Sequence, residues 1–194
     1  MKVLVDFLKT AATAVIIIVV LRYTGLLSSI SYYTQSAVLQ SGILNASAKT
    51  EKGNEDFDFN FNIKDLQGNK VSFEQYKGKV IFLNLWATWC GPCRAEMPTI
   101  QKLHDSVNKD NIAFVILSLD TDTDLHKVVK YVQKSQFTFP VFMPSGYLTD
   151  QLQVPSIPTT FVISKEGKII AKEVGTANYN TTKFRKFLEE QASK

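Results

Sequence analysis

The amino-acid sequence predicts an α/β fold in which helices flank a mixed central sheet. The first sign is a pair of nearly continuous apolar runs, Lys79–Ala87 and Ile112–Asp120, which are typical of central strands covered on both faces. The second is the helical periodicity of the segments that follow these runs. The third is a pair of strand-like segments near the C-terminus, joined by a turn at Gly167, which predicts an antiparallel hairpin.

The predicted elements begin with another hairpin. Phe57–Ile63 alternates apolar and polar residues, as a half-exposed strand does, and a turn at Gly68 leads into a short second strand. Cys93–Asn108 and Leu125–Lys134 predict helices, because their apolar side chains fall on one face. The remaining predicted elements are a strand at Pro140–Met143, a helical turn at Leu148–Val154, the hairpin strands Thr159–Ser164 and Lys168–Gly175, and an amphipathic helix at Tyr179–Gln191.

The composition of the 194-residue chain bounds its class. It is 45% hydrophobic and 21% charged, a balance that supports a packed core and argues against disorder. Its net charge of +4 is modest, and the lysines are scattered among Asp and Glu instead of forming a basic patch. A nucleic-acid partner is therefore not predicted.

The N-terminal segment differs from the rest of the chain. Thr10–Leu21 carries no charge, and continued to Tyr33 it is long enough to cross a hydrocarbon core of ~30 Å at a helical rise of ~1.5 Å per residue. Lys2 and Lys9 precede it, which favours a cytoplasmic N-terminus. A cleaved signal peptide and a buried helix of a soluble protein are the alternatives. We predict a cytoplasmic tip and transmembrane signal anchor at residues 1–33, a juxtamembrane linker at residues 34–54 and a folded domain at residues 55–194.

Both cysteines of the chain, Cys90 and Cys93, lie in the stretch WCGPC. A disulfide between residues so close closes a loop too short to remove much chain entropy, which weakens a purely structural role. A zinc site needs two further ligands, and the histidines, His104 and His126, are far apart on predicted helices, where we interpret both as surface residues. Neither role is therefore favoured.

The position of the two cysteines favours redox chemistry instead. A strand delivers the chain to Cys90 and a helix follows, so the unpaired N–H groups and the dipole of the helix N-terminus stabilise a thiolate there. Cys93, one turn later, is placed to resolve a mixed disulfide formed through Cys90. Gly91 permits the tight turn, and Pro92 is tolerated in the first helical turn because it lacks an N–H. A thiol peroxidase and a non-enzymatic membrane-tethered binding or assembly module are the alternatives.

The stretch WATWCGPCRAEMP and the downstream IPTTFVIS resemble the membrane-anchored thioredoxin-like proteins of the TlpA and ResA type. The likeness runs from about Phe57 to the C-terminal helix and includes a helix-breaking Pro98 and an inserted element at Asp122–Gln136. It implies a thioredoxin-like fold with an N-terminal hairpin and an insertion, preceded by a membrane helix. The implied activity is extracytoplasmic thiol–disulfide exchange by a single-pass protein of the bacterial inner membrane, on its periplasmic side.

The resemblance also implies roles for residues around the cysteines. Pro158 matches a cis-proline that faces them, leaving the backbone of Ile157 to pair with an extended substrate; an ordinary trans proline at a strand start is the alternative. Glu96 matches an acidic residue that tunes the cysteines or relays a proton, the alternative being a favourable charge in the first turns of a helix. Trp89 is expected to shield Cys90 and to contact the partner. Asn84 stands where thioredoxin has a buried aspartate, which makes Glu96 the carboxylate of interest.

The implied reaction needs no soluble cofactor, because the Cys90–Cys93 pair carries the electrons. The Gly-Pro between the cysteines resembles reducing members of the family. The expected partners are protein thiol or disulfide substrates and a membrane electron donor of the thiol type. Reduction of protein disulfides, including those of apocytochrome c during cytochrome c maturation, is the function that the resemblance implies.

Overall fold

The computed structural model describes residues 2–23, 34–35, 37–39, 44–47 and 55–194. Seven strands form one mixed sheet in the order β2-β1-β5-β4-β3-β6-β7. The strands are β1 (Asn62–Asp65), β2 (Lys70–Ser72), β3 (Val80–Trp86), β4 (Ile112–Ser118), β5 (Val141–Pro144), β6 (Thr159–Ile163) and β7 (Ile169–Val174). The helices are α1 (Lys2–Tyr23), α2 (Gly91–Ser106), α3 (Leu125–Ser135) and α4 (Thr182–Ser193), with 3-10 turns at Phe73–Tyr76, Asp122–Asp124 and Asp150–Leu152.

The two apolar runs form the centre of the sheet, as predicted. Every residue of β3 and β4 is buried, and the two strands pair in parallel. On its other side β3 pairs antiparallel with β6, where Asn84 lies opposite Thr160. Strands β6 and β7 form the predicted C-terminal hairpin, in which Gly167 turns at a φ of +80°. A mixed sheet with helices packed on it is therefore confirmed.

Alternate side chains of β3 belong to two different apolar clusters. Phe82 and Trp86 face a cluster to which α2, α3 and α4 contribute Ile100, Val128 and Leu188. Ile81, Leu83 and Leu85, which point to the opposite face of the sheet, belong to a second cluster. That cluster also contains phenylalanines 57, 59, 61 and 73. The period of two along a strand thus divides the core into two layers.

The N-terminal hairpin is shorter than predicted. Strand β1 covers Asn62–Asp65, not Phe57–Ile63. The alternation is real, since phenylalanines 57, 59 and 61 are all buried. The backbone before Asn62 nevertheless pairs with loops, because the N–H of Phe57 donates to the carbonyl of Gly167 over 2.8 Å. The turn at Gly68, with a φ of +90°, and the short strand β2 follow as predicted.

Helix α2 does not end at Pro98, which corrects the prediction of a helix-breaking residue. The helix continues to Ser106 with Pro98 inside it. A proline removes the N–H that would donate to the carbonyl four residues earlier, here that of Arg94. The hydroxyl of Tyr131, from α3, lies 3.5 Å from this carbonyl oxygen and donates to it. A contact from the inserted helix therefore partly replaces the missing backbone bond.

The prediction that both histidines lie at the surface is correct for His126 and wrong for His104. His126 is exposed, as predicted, but His104 is only 7% exposed. The ring of His104 packs edge-on against Phe114 and Phe139. Burial is the main cause of the lowered pKa of His104, followed by the positive charge of Lys109.

The described residues before Glu55 belong to α1 and to pieces of the predicted linker. No helix within the described ranges is both long and apolar enough for a membrane span. The predicted anchor continues through residues 24–33, which lie outside the described residues. In the linker, Leu39 and Ala46 are buried, and the Ala46 N–H donates to the carbonyl of Asn178 over 3.0 Å. Ala46 belongs to the apolar cluster that includes Phe82 and Trp86, so this part of the linker packs on the domain.

Candidate active site

Cys90 and Cys93 are joined as a disulfide at the start of α2. Cys90 is the N-cap residue, with extended backbone, and its Sγ accepts a hydrogen bond of 3.1 Å from the N–H of Cys93. An N-cap position normally holds an oxygen that satisfies an unpaired helical N–H. Here a sulfur occupies it, so the strand-to-helix placement predicted for Cys90 is what the structure has.

The two sulfurs differ in access. Cys90 is 6% exposed, whereas Cys93 is fully buried. Cys93 therefore lies deeper than Cys90, which is compatible with the resolving role predicted for it. Gly91 and Pro92 occupy the first turn of the helix. The N–H groups of this turn have no acceptor within the helix, so the missing N–H of Pro92 costs no hydrogen bond.

The turn before β6 lies against Cys90. The Ile157–Pro158 peptide bond is cis, so the alternative of an ordinary trans proline is wrong. The carbonyl oxygen of Ile157 lies 3.7 Å from Sγ of Cys90. Pro158 is buried, and its carbonyl accepts from the N–H of Gly175 over 2.8 Å. The structure thus brings the predicted WCGPC and Ile-Pro segments together.

The tryptophans lie in opposite environments. Trp86 is fully buried, and its ring centroid lies 5.4 Å from that of Tyr131. Trp89 is 65% exposed and directly precedes Cys90. A large apolar side chain presented to solvent next to Cys90 is available for contact with another molecule. Thr88, next to it, is held by the carboxylate of Asp120, which accepts from its N–H and its hydroxyl over 2.8 and 2.6 Å.

Glu96 lies in a buried polar network one turn beyond Cys93. Its Oε1 accepts a 2.8 Å hydrogen bond from the side-chain amide of Asn84, and its Oε2 accepts one of 3.0 Å from the N–H of Ala177. The same amide of Asn84 donates to the hydroxyl oxygen of Thr160 over 2.8 Å. That oxygen also accepts from the hydroxyl of Tyr179 over 2.7 Å. Four side chains and one backbone N–H therefore form a single network behind the cysteines.

Burial dominates the electrostatics of Glu96. Desolvation raises the pKa of this carboxyl from 4.5 to about 8, against the opposing effect of the Ala177 and Asn84 hydrogen bonds. At neutral pH the side chain is mostly protonated. The alternative of a favourable charge at the helix N-terminus is therefore not supported, since such an effect requires the ionised form.

The sequence points to two members of this network, Asn84 and Glu96, but not to the other three. Thr160 is recoverable in principle, because the register of β3 and β6 places it opposite Asn84. Ala177 lies 81 positions from Glu96 in the chain. Both Ala177 and Tyr179 belong to the connection between β7 and α4, which corrects the prediction that the C-terminal helix begins at Tyr179. Their contribution follows from chain packing alone.

The order of the strands and the helix-terminal cysteine pair define a thioredoxin-fold protein. The chain belongs to the AhpC/TSA family, whose sequence pattern matches residues 56–172. The thiol-disulfide oxidoreductase ResA of Bacillus cereus is 36% identical over 117 residues, which cover 60% of this chain and 66% of that protein. The thioredoxin-like protein YneN of Bacillus subtilis is 36% identical over 117 residues, 60% of this chain and 68% of its own. The chain thus spans just under two thirds of the ResA relative.

Solved structures agree with this assignment. StoA from Bacillus subtilis superposes with a TM-score of 0.54 at 26% identity, covering 65% of this chain and 95% of that one. A DsbF homologue from Corynebacterium diphtheriae gives a TM-score of 0.60 at 25% identity, with coverages of 73% and 90%. The resemblance to the ResA-like thioredoxin family that the sequence predicts is confirmed.

Proposed function

We propose that this protein is a thiol–disulfide oxidoreductase that reduces disulfides of protein substrates through Cys90 and Cys93. The observation that carries the proposal is the contact at the start of α2, where the N–H of Cys93 donates to Sγ of Cys90 over 3.1 Å. In the reduced protein, the same N–H and the helix dipole stabilise a thiolate at Cys90. The relatives that bear the name thiol-disulfide oxidoreductase support the same activity.

The reaction proceeds by two exchanges of sulfur–sulfur bonds. The Cys90 thiolate attacks one sulfur of the substrate disulfide, forms a mixed disulfide and releases the other substrate sulfur as a thiolate, which takes up a proton. Cys93 then loses its proton and attacks Sγ of Cys90, which releases the second substrate thiol. The substrate gains two electrons and two protons, and the Cys90–Cys93 disulfide is formed. No soluble cofactor enters this cycle.

Residues around the sulfurs position the substrate. The Ile157–Pro158 turn presents its backbone beside Cys90, where an extended substrate segment adds as a strand. The exposed ring of Trp89 supplies an apolar contact next to the same sulfur. Gly91 and Pro92 keep the bulk of the first helical turn small enough for this approach.

Glu96 is the group that accepts the proton of Cys93. It lies one helical turn from that buried thiol, and it is the carboxyl of the network that reaches Asn84 and Ala177. With its pKa raised to about 8, the carboxyl is mostly protonated at neutral pH, and its smaller ionised fraction is the form that accepts the Cys93 proton before the second exchange.

The physiological setting is proposed from the sequence. An N-terminal signal anchor tethers the domain on the outer side of the bacterial inner membrane, in the periplasm. A reductase in an oxidising compartment needs electrons, and a membrane donor of the thiol type supplies them. Reduction of cysteines in apocytochrome c, as part of cytochrome c maturation, is the proposed use.

The test uses cysteine variants together with a measurement of the reduction potential of the Cys90–Cys93 disulfide. Cys90→Ser should lower reduction of a peptide disulfide to the uncatalysed rate, and Cys93→Ser should accumulate a mixed disulfide on Cys90, detected by mass spectrometry. Equilibration of the wild-type chain with defined thiol buffers gives its potential. A value near that of reducing exchangers, about −270 mV, supports the reductase.

Three results would contradict the proposal. A potential near about −120 mV makes the protein a donor of disulfides. Turnover of hydrogen peroxide that depends on Cys90 and far exceeds disulfide reduction makes it a thiol peroxidase. Full complementation of a deletion strain by the Cys90→Ser/Cys93→Ser variant makes it a binding or assembly module.

A further inference from the structure

A cleft of about 380 Å³ lies next to the N-terminus of α2. Trp89, which precedes α2, and Arg94, in its first turn, line one wall, and Lys130, Tyr131 and Lys134, from α3, line the other. The disulfide exchange described above uses Trp89 but assigns nothing to the α3 wall. This wall belongs to the inserted element that the sequence places at residues 122–136.

Helix α3 presents two faces of opposite character. Val128 is fully buried in the core, while Lys130 and Lys134 are exposed. Residues four positions apart lie one above the other on a helix, so the two ammonium groups form one row along the cleft. Neither lysine forms an ion pair with any of the residues that the structure describes.

The acidic residues of the cleft do not balance these charges. Asp124 pairs with Lys127 over 2.7 Å, which occupies both side chains. Asp120 is 5% exposed, and its carboxylate accepts hydrogen bonds from Thr88 and, over 2.6 Å, from the hydroxyl of Ser118. Its charge is therefore directed into the protein. The surface that the cleft presents to solvent is positive on the α3 side and aromatic at Trp89.

We propose that this cleft binds an acidic segment of the polypeptide whose disulfide reacts at Cys90. Carboxylates of that segment pair with Lys130 and Lys134, and an apolar side chain near its cysteine packs on Trp89. The proposal rests on the proposed function, since it names the class of protein substrate that the same site takes. Charge complementarity argues for the acidic segment.

The position of Cys90 argues for a polypeptide and against an anionic lipid surface. Trp89 lines the cleft and directly precedes Cys90 in the chain. A membrane seated on Lys130, Lys134 and Trp89 would cover the sulfur and block the substrate. A flexible acidic segment fills the cleft and leaves its own disulfide at Cys90.

The experiment measures how the full-length protein binds and reduces two peptides. Both contain the same Cys-x-x-Cys disulfide, one flanked by Asp and Glu and the other by Asn and Gln. Binding is measured by fluorescence anisotropy on dye-labelled versions in which serine replaces both cysteines, and reduction is measured on the disulfide forms. The variant is Lys130→Gln/Lys134→Gln. The matched control is Lys183→Gln/Lys186→Gln, which removes two exposed lysines of α4 outside the cleft.

We expect the cleft variant to bind the acidic peptide ~5-fold more weakly, to reduce it with a kcat/KM lower by a similar factor, and to lose most of the salt dependence of binding. Binding and reduction of the neutral peptide should change by less than ~2-fold, a range within which exposed charges often have no measurable effect. The control variant should behave as wild type with both peptides.

Unchanged binding of the acidic peptide in the cleft variant would overturn the proposal. So would an equal loss for the neutral peptide, or an equal loss in the control variant. A cleft that faces the membrane would also overturn it. In reconstituted vesicles, spin-labelled phosphatidylglycerol would then quench the tryptophan fluorescence, the quenching would depend on Lys130 and Lys134, and peptide binding would be unaffected by the cleft variant. The serine peptides test the cleft even when no disulfide is reduced, and failure to reduce the small neutral hydroxyethyl disulfide identifies a failure of the proposed function itself.

Discussion

Glu96 shows at the scale of single residues how this site differs from a surface helix terminus. The side chain is fully buried and accepts from Asn84 and Ala177. When protonated it also has one O–H to donate. The Oδ1 of Asn84 has no hydrogen-bond partner among the described residues, and turning this amide by 180° places Oδ1 against the Glu96 carboxyl. The orientation of Asn84 and the protonation of Glu96 are therefore linked.

The raised pKa of Glu96 makes stability depend on pH. Its ordinary value of 4.5 applies to the unfolded chain, and about 8 applies to the folded protein. Between these values the folded state binds more protons, so the unfolding free energy falls as pH rises. The contribution of Glu96 is fully present below pH 4.5 and is lost as pH rises through about 8.

Glu96→Gln should remove this dependence, because glutamine keeps the shape and does not titrate. We expect the unfolding free energy of the wild type, relative to the variant, to fall by on the order of 3 kcal/mol between pH 5 and pH 8. Urea unfolding of the oxidised protein at both pH values measures it. Parallel curves for the two proteins would show that Glu96 titrates normally.

At the scale of elements, α2 holds the cysteines by its buried stripe. Met97, Ile100 and Leu103 are all fully buried, and they anchor the helix on the sheet across the Pro98 interruption. The i, i+3 spacing of these positions keeps them on one face. The sulfurs at the N-terminus of α2 are therefore positioned by packing that occurs further along the helix.

Ile100→Ala should test this anchoring. Removing a fully buried side chain of this size costs ~2–5 kcal/mol of unfolding free energy, because the cavity collapses only partly. Lys102→Ala, at an exposed position of the same helix, should change it by less than ~0.5 kcal/mol. Guanidinium unfolding of both variants provides the comparison, and equal losses would mean that helix propensity, not packing, holds α2.

At the scale of the whole molecule, the predicted linker is packed against the site region. The backbones of Leu44 and Ala46 bond to Asn178, and the N–H of Ser47 donates to the Glu173 carboxylate over 2.7 Å. The connection they contact includes Ala177, whose own N–H holds Glu96. Residues that the sequence indicates as a tether thus support the segment behind the cysteines.

Ala46→Asp should destabilise the protein by ~1–3 kcal/mol, because it places an unpaired charge at a position that is 6% exposed. Asn45→Asp is the control, since Asn45 is exposed and aspartate keeps the oxygen that accepts from the Asn178 side chain. Thermal unfolding compares the two. Equal midpoints would show that residues 44–47 do not contribute to the stability of the domain.

Local sequence patterns predicted those features that depend only on residues close together in the chain. Continuous apolar runs identified β3 and β4, because a strand buried on both faces needs no polar alternation. The spacing of the cysteines and their place between a strand and a helix predicted the redox site. The error at His104 has the same origin, since a single polar residue in a helix carries no sign of the aromatic rings that enclose it.

The sequence by itself determined the α/β class, the placement of Cys90 and Cys93 at a helix N-terminus, and the family, because these depend on short-range periodicity and on a motif. Only the tertiary structure decided the partners of Glu96, the burial of the linker residues and the cleft between α2 and α3. Each of these joins segments that are distant in the chain. Such contacts follow from how the elements pack, and no local pattern encodes the pairing.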